Sequence, residues 1–260
     1  MKDVQNYPDL RGIAIQQVGI KNVHLPVLIA TKAGGAQSTL GEVTVSVDLP
    51  KDYKGTHLSR FMEVLVAWQE KTISGWELKS ILKEITERLN AACAELSLRF
   101  RYFLPTTAPV SGSRSLLDYK CEFWGRWNRG KFDYQLGVEI PVVSLCPCSK
   151  SIAKYGAHNQ RAFIRAWLSF KRGQYLWIED AVALLEKQGS CQVYPLLKRE
   201  DEKAVTEAAY ENPKFVEDIL RDSVLALRSD NRIRGFRLEV ESFESIHNHS
   251  AFARHEEELG

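Results

Sequence analysis

The 260-residue chain is 44% hydrophobic and 10% aromatic, enough to build one large domain or two of ordinary size around a packed core. Its 35 Lys and Arg against 33 Asp and Glu leave a net charge of +2, and no long single-sign block marks a nucleic-acid tail or a membrane-binding patch. No stretch approaches the ~20 apolar residues of a membrane span, and the polar start MKDVQNYPDLRG lacks the apolar core of a signal peptide, so a cytoplasmic location with reduced cysteines is expected.

In chain order, GIKNVHLPVLIA (19–30) and STLGEVTVSVDLP (38–50) read as extended; in the second, Val43, Val45, Val47 and Leu49 alternate with Thr44, Ser46 and Asp48. Phe61, Val64, Leu65 and Trp68 then recur at helical spacing. So do Leu78, Ile81, Leu82, Ile85 and Leu89, after a Ser74-to-Glu77 capping-box pattern. Alternation returns at Leu96, Leu98, Phe100 and Tyr102, and again at Phe132, Tyr134, Leu136, Val138 and Ile140, with the aromatic CEFWGRW and the turn-forming NRGK between. VSLCPCSKSIAKYGAHNQRA (143–162) has little periodicity and reads as a polar loop. Beyond it, Ile164, Ala166, Leu168 and Phe170 alternate, and Trp177 to Lys187 is helical and stops near Gly189. Asn212 and Pro213 predict the start of a helix buried through Val216, Ile219, Leu220, Val224 and Leu227, and Phe236, Leu238 and Val240 alternate after it.

The order strand, strand, helix, helix, strand, strand thus occurs twice, which predicts one unit over 1–130 and a second over 131–260. The expectation is an α+β architecture, antiparallel sheet with helices on one face, whose sheet edges invite self-association.

The chemistry-bearing residues concentrate in the polar loop, where Cys146, Cys148 and His158 stand close in sequence. Five cysteines, an odd number in a chain this long, do not resemble a disulfide framework. A structural zinc site needs four ligands at short paired spacings, and one Cys-X-Cys with one His falls short. The nearest further candidates are His247 and His249 in IHNH, and the acidic run Arg199-Glu200-Asp201-Glu202. Three mixed ligands with an open position would describe a catalytic metal. Blander readings compete: Cys93, Cys121 and Cys191 as small buried hydrophobes, His24 and His255 as surface hydrogen-bonding groups, residues 200–202 as a solvated turn between helices. Spacing alone leaves the metal site as one possibility among these.

Six segments resemble one family in its own order: KGTHLSRF (54–61), TAPVSGSRSLLDY (107–119), SLCPCSK (144–150), YGAHNQR (155–161), LLKREDEKAVTEAAYENPKFVED (196–218) and FESIHNHSA (243–251). They look like the prokaryotic GTP cyclohydrolase of type IB, which makes 7,8-dihydroneopterin triphosphate for folate and related pathways. The resemblance implies the tunnelling fold, with barrels assembled from such units, active sites at subunit interfaces and a homotetramer whose partner is GTP, with no nucleic acid or membrane. It implies one divalent metal, zinc, manganese or iron, on Cys146, His158 and Glu202. The chain departs from the family at Glu200, where Pro is usual, which puts a second carboxylate two residues from the implied ligand.

The resemblance also gives His247 and His249 a catalytic role. Two apart on an extended segment, they would point the same way, and imidazoles suit proton transfer near neutral pH. Cys148 matches the second Cys of the motif and is a candidate proton carrier, beside a reading as a loop-packing thiol. Glu217 becomes the guanine anchor, because two acceptor oxygens match the N1–H and N2 amino donors of guanine and reject adenine. For the triphosphate, the helix-opening segment with His57, Ser59 and Arg60, and SGSR with Arg114, offer amides and fixed positive charge. Two other functions compete. In an NADPH-dependent nitrile reductase of the same fold, Cys146 would attack carbon directly, but that enzyme's Glu-Ser-Lys-Ser type motif is missing here. The other is a non-catalytic purine-binding relative.

Overall fold

The computed structural model describes residue 5 and residues 7–259. Residues 1–4 and 6, on which the expectation of a signal-free start partly rests, lie outside the described residues, as does Gly260. The elements in order are β1 (Ile15–Ala30), β2 (Ala36–Leu49), α1 (Leu58–Trp68), β3 (Thr72–Ile73), α2 (Glu77–Leu89), β4 (Cys93–Thr107), β5 (Arg114–Asn128) and β6 (Lys131–Leu145). There follow α3 (Pro147–Ile152), β7 (Asn159–Phe170), α4 (Ile178–Leu185) running into a 3₁₀ turn, β8 (Cys191–Gln192), α5 (Arg199–Glu211), α6 (Val216–Arg228), β9 (Ile233–Phe243) and β10 (Ser250–Glu258). The architecture is the expected α+β, mostly antiparallel sheet with helices on one face. Contacts divide the chain into a unit reaching Arg101 and including Glu122–Gln135, and a unit formed by Tyr102–Cys121 and Leu136 onward.

In the first unit the strand order is β3-β1-β2-β4-β5-β6. The alternation read from sequence is the pleat: Val43, Val45, Val47 and Leu49 are buried, and their neighbours less so. Val43 shares an apolar lining with Leu65 and Trp68 of α1 and Ile81 of α2, whose buried stripes are Phe61, Val64, Leu65 and Leu78, Ile81, Leu82, Ile85. The Ser74–Glu77 pair forms, Glu77 accepting the Ser74 backbone N–H at 2.8 Å and its hydroxyl. Close pairing of β1 with β2 requires Gly19, because a Cβ there would stand 1.9 Å from the Val45 carbonyl oxygen.

In the second unit β6, β7, β9 and β10 are successive neighbours, and β7 and β10 each run antiparallel to β9. One face of the β7–β9 pair carries Ile164, Ala166, Leu168, Leu238 and Val240, all fully buried; α6 packs on β9 and β10. The other face mixes charged and aromatic side chains. There Arg165 donates to Glu139 at 2.7 Å, Glu239 at 3.0 Å and Glu241 at 2.7 Å, and Arg237 stacks 4.0 Å over the Trp167 ring.

Three sequence expectations change. CEFWGRW is itself strand, the second half of β5; aromatic residues at both parities blur its alternation, although of these seven only Cys121, Phe123 and Gly125 are buried. Asn212 does not start a helix. It is the C-cap of α5, its backbone N–H donating to the Ala208 carbonyl at 3.2 Å while its side-chain amide donates to the carbonyls of Gly189 (3.2 Å) and Ser190 (3.1 Å), and α6 begins at Val216. The acidic run 199–202 is not a turn but the first turn of α5, where carboxylates complement the helix dipole. No described helix is long and apolar enough to cross a membrane.

Candidate active site around Cys146 and His158

β6 ends at Leu145, and the next residue keeps an extended backbone while Pro147 fixes the first turn of α3, so Cys146 becomes its N-cap. Its sulfur accepts the Ser149 N–H at 3.4 Å. Ser149 is a staple: its hydroxyl donates to the Cys146 carbonyl at 3.1 Å and accepts the His158 N–H at 3.2 Å. The Cys146 N–H in turn donates to the His158 carbonyl at 3.1 Å. Two residues twelve apart in sequence are thereby held side by side at the mouth of β6 and β7. The expected polar loop thus contains a helix of six residues, too short to show a period. Cys148 lies on that helix, exposed.

The His158 side chain, 14% exposed, has Nδ1 2.9 Å from Gln160 Oε1. The β9–β10 connection, residues 244–249, bears His247 and His249. It is a bend and not an extended segment, yet the rings do lie together, stacked with centroids 5.1 Å apart and planes 14° from parallel.

α5 carries Glu200 and Glu202, both exposed, around a fully buried Asp201. Asp201 accepts the N–H groups of Val110 and Ser111 at 2.8 Å, the Ser111 hydroxyl at 2.6 Å and the Lys198 N–H at 2.9 Å. Burial pushes its carboxyl up, but the Ser111 hydroxyl and these amides more than offset that and hold it below the usual carboxylate range. The far end of α5 meets α3, where the Lys150 ammonium donates to the Tyr210 carbonyl and stands 4.3 Å over its ring. Glu202, eight residues earlier, is on the order of 12 Å further along the axis. Accordingly, among the described residues no three His, Cys, Asp or Glu side chains gather as a metal cluster within one chain.

Glu217 is exposed in the first turn of α6. His57 caps α1, Ser59 is exposed, and Arg60 donates to the Arg88 carbonyl at the end of α2 at 2.8 Å; all three belong to the first unit. Arg114 opens β5 in the second unit and is exposed. A cavity of about 410 Å³ beside α4, with Tyr119, Glu179, Glu186 and Tyr194 in its walls, contains none of the residues singled out from the sequence. The five cysteines are free thiols; burial pushes those of Cys121 and Cys191 up, as befits packing residues.

The donor chemistry at Cys146 and His158 fits a divalent transition metal. A sulfur and an imidazole are ligands of the kind zinc or iron sites use, and a carboxylate beside them would make manganese tolerable as well. Sequence reasoning passed over Ser149, Gln160 and Glu244, although each lies inside a quoted segment within three residues of a residue it chose.

A profile of the family described as "Type I GTP cyclohydrolase folE2" matches residues 1–253. The chain belongs to this family. It is 49% identical over 253 residues to the GTP cyclohydrolase FolE2 of Methylobacillus flagellatus, spanning 97% of this chain and 94% of that protein. The Geobacter sulfurreducens GTP cyclohydrolase FolE2 is 48% identical over 258 residues, 99% of this chain and 98% of its own. Among solved structures, uricase from Arthrobacter globiformis superposes with a TM-score of 0.58 at 10% identity, covering 94% of this chain and 93% of its own. Urate oxidase from Bacillus subtilis gives 0.53 at 7% identity, covering 94% and 99%. These two share the tunnelling fold with this chain.

Proposed function

We propose that the chain is the type IB form of GTP cyclohydrolase I. It converts GTP to 7,8-dihydroneopterin triphosphate and formate, the first step of folate biosynthesis. Besides family membership, the observation that carries this reading is the stapling of Cys146 to His158, with one sulfur and one ring nitrogen available at the end of β6. Cys146, His158 and Glu202 hold one divalent ion, zinc, manganese or iron. When bound, such an ion supplies a nucleophile stronger than water at neutral pH, which the poor electrophile C8 of guanine requires.

The chain's own groups do the rest. Glu217 accepts the guanine N1–H and N2 amino hydrogens and so orients the ring. His247 and His249 deliver a proton to N7 and remove one from the attacking water, with Cys148 as a proton carrier close to Cys146 in the chain. His57, Ser59, Arg60 and Arg114 hold the triphosphate. Glu202 stands about 12 Å along α5 from the Tyr210 end that meets α3, which supports a site completed on assembly, and we assign a homotetramer of tandem units, 1–130 and 131–260, with interfacial active sites.

Mixing the protein with GTP and Mn²⁺ or Zn²⁺ should produce the ultraviolet band of the pterin and one formate per GTP, lost with chelator and restored by metal. GTP binding without turnover would mark a purine-binding relative, and consumption of NADPH a nitrile reductase. Light scattering on the eluted protein should give four times the 29.6 kDa chain mass.

A further inference from the structure

We propose that Gln160 is a positioning residue that sets the tautomer of His158 and ties it to the root of the loop bearing His247 and His249. The inference rests on the reading of His158 as a metal ligand, and its physical basis is a hydrogen-bond chain with only one consistent polarity.

Gln160, the second residue of β7, is 9% exposed, and its side chain meets that of His158, two residues before. Across the sheet, Ala162 pairs with Ser242, and the same register two residues on sets Gln160 opposite Glu244, the first residue beyond β9. Gln160 Nε2 lies 3.3 Å from Glu244 Oε1. An ionised carboxylate only accepts, so the amide must turn its NH₂ toward Glu244 and its oxygen the other way. That oxygen faces His158 Nδ1 at 2.9 Å and the Ser245 hydroxyl at 3.4 Å. An amide oxygen cannot donate, so the proton of a neutral His158 must reside on Nδ1. Glu244 Oε2, 4.0 Å from the same nitrogen, favours it there as well. Nε2 is left with its lone pair, the form in which imidazole binds a metal.

The chain has a second consequence. Glu244 and Ser245 are the first two residues of the 244–249 connection, so the group that orients the proposed ligand also anchors the strand end from which His247 and His249 project. One buried amide therefore holds the metal-binding and proton-transfer halves of the site in register, as outer-sphere partners of metal ligands commonly do.

The test uses three measurements on the chelator-treated full-length protein and its Gln160→Leu and Gln160→Glu variants. First, the ring ¹⁵N shifts of His158 should report the Nδ1–H tautomer in the parent and in Gln160→Glu, which keeps an acceptor, and a mixture in Gln160→Leu. Second, Co²⁺ affinity, followed by the thiolate-to-metal absorption band against a competing chelator, should fall about 10–100-fold in Gln160→Leu and recover most of that loss in Gln160→Glu. Third, Gln160→Glu faces Glu244 with like charge, so kcat should drop while Co²⁺ remains bound, a split that general loosening of the fold would not give. An Nε2–H tautomer in the parent overturns the proposal, as does Gln160→Leu binding Co²⁺ as tightly as the parent. The tautomer measurement needs neither metal nor GTP, so a failure of the cyclohydrolase reading and a failure of the Gln160 assignment give different results.

Discussion

At Cys146 the sulfur, the carbonyl and the N–H are all engaged in holding α3 against the start of β7, so replacing only the sulfur removes a donor without releasing the segment. Cys146→Ala, His158→Ala and Glu202→Ala should each bring metal content and turnover to background with the fold intact, and Glu200→Ala should change both little. Metal analysis of the purified variants decides between the two carboxylates: loss in Glu200→Ala with retention in Glu202→Ala reverses the assignment. The stacked pair calls for a different signature. His247→Ala should keep metal and GTP affinity while kcat falls ~10²–10⁴-fold, the usual contribution of a general acid or base. Glu217→Gln presents an amide donor to two guanine donors. GTP binding by calorimetry should therefore weaken by roughly 1.5–3 kcal/mol with the metal retained, and unchanged binding would reduce Glu217 to a solvated helix residue.

On the scale of elements, the first turn of α5 and the β4–β5 connection are one structure, because Asp201 gathers donors from both. Its folded pKa is depressed, so its contribution is fully present above the ordinary carboxylate value and is lost as pH falls through the lower folded value. Asp201→Asn, which turns an NH₂ group toward backbone N–H donors, should lower Tm by several degrees at pH 7. The gap from the parent should narrow below about pH 4; a gap independent of pH would mean that packing and not charge makes the link. Because Arg114 follows this connection directly, the same variant should also raise the KM for GTP. α5 was invisible to periodicity for a related reason: it buries only Asp201 and Ala209, so no apolar stripe existed to be read.

Over the whole molecule, one guanidinium serves three strands. Arg165 on β7 joins Glu139 on β6 to Glu239 and Glu241 on β9, and Arg254 on β10 reaches Glu239 from the other side at 3.2 Å. Burial raises the Glu139 carboxyl, but Lys120 and Arg165 more than offset it, and Arg254 and Arg165 together hold Glu239 low despite its burial. Depressed carboxylates stabilise the fold above their ordinary pKa, and that contribution is lost as pH falls through the folded values. Arg165→Met should therefore cost about 1–3 kcal/mol in urea melts at pH 7, the scale of charged hydrogen bonds reduced by solvent screening, and less at pH 4. A deficit that grows toward pH 4 would contradict the ion-pair account.

Most of the strands and helices were legible because burial imposes a period on them: Val43 to Leu49 alternate because one face of β2 is covered, and Phe61 to Trp68 recur because one face of α1 is. The local chemistry of Cys146, Cys148, His158 and the His247–His249 pair was legible too, since the types of side chain that bind metals or move protons are few. What no local pattern contains is the partner of a polar group. That Asn212 closes α5 instead of opening α6, that Asp201 is buried while Glu200 and Glu202 are exposed, and that Gln160 lies against Glu244 all depend on groups 22 to 91 residues away in the chain. Hydrogen bonds of that kind satisfy donors and acceptors made adjacent only by sheet register and helix packing, so only the tertiary structure decided which carboxylate is buried and which group faces His158 Nδ1.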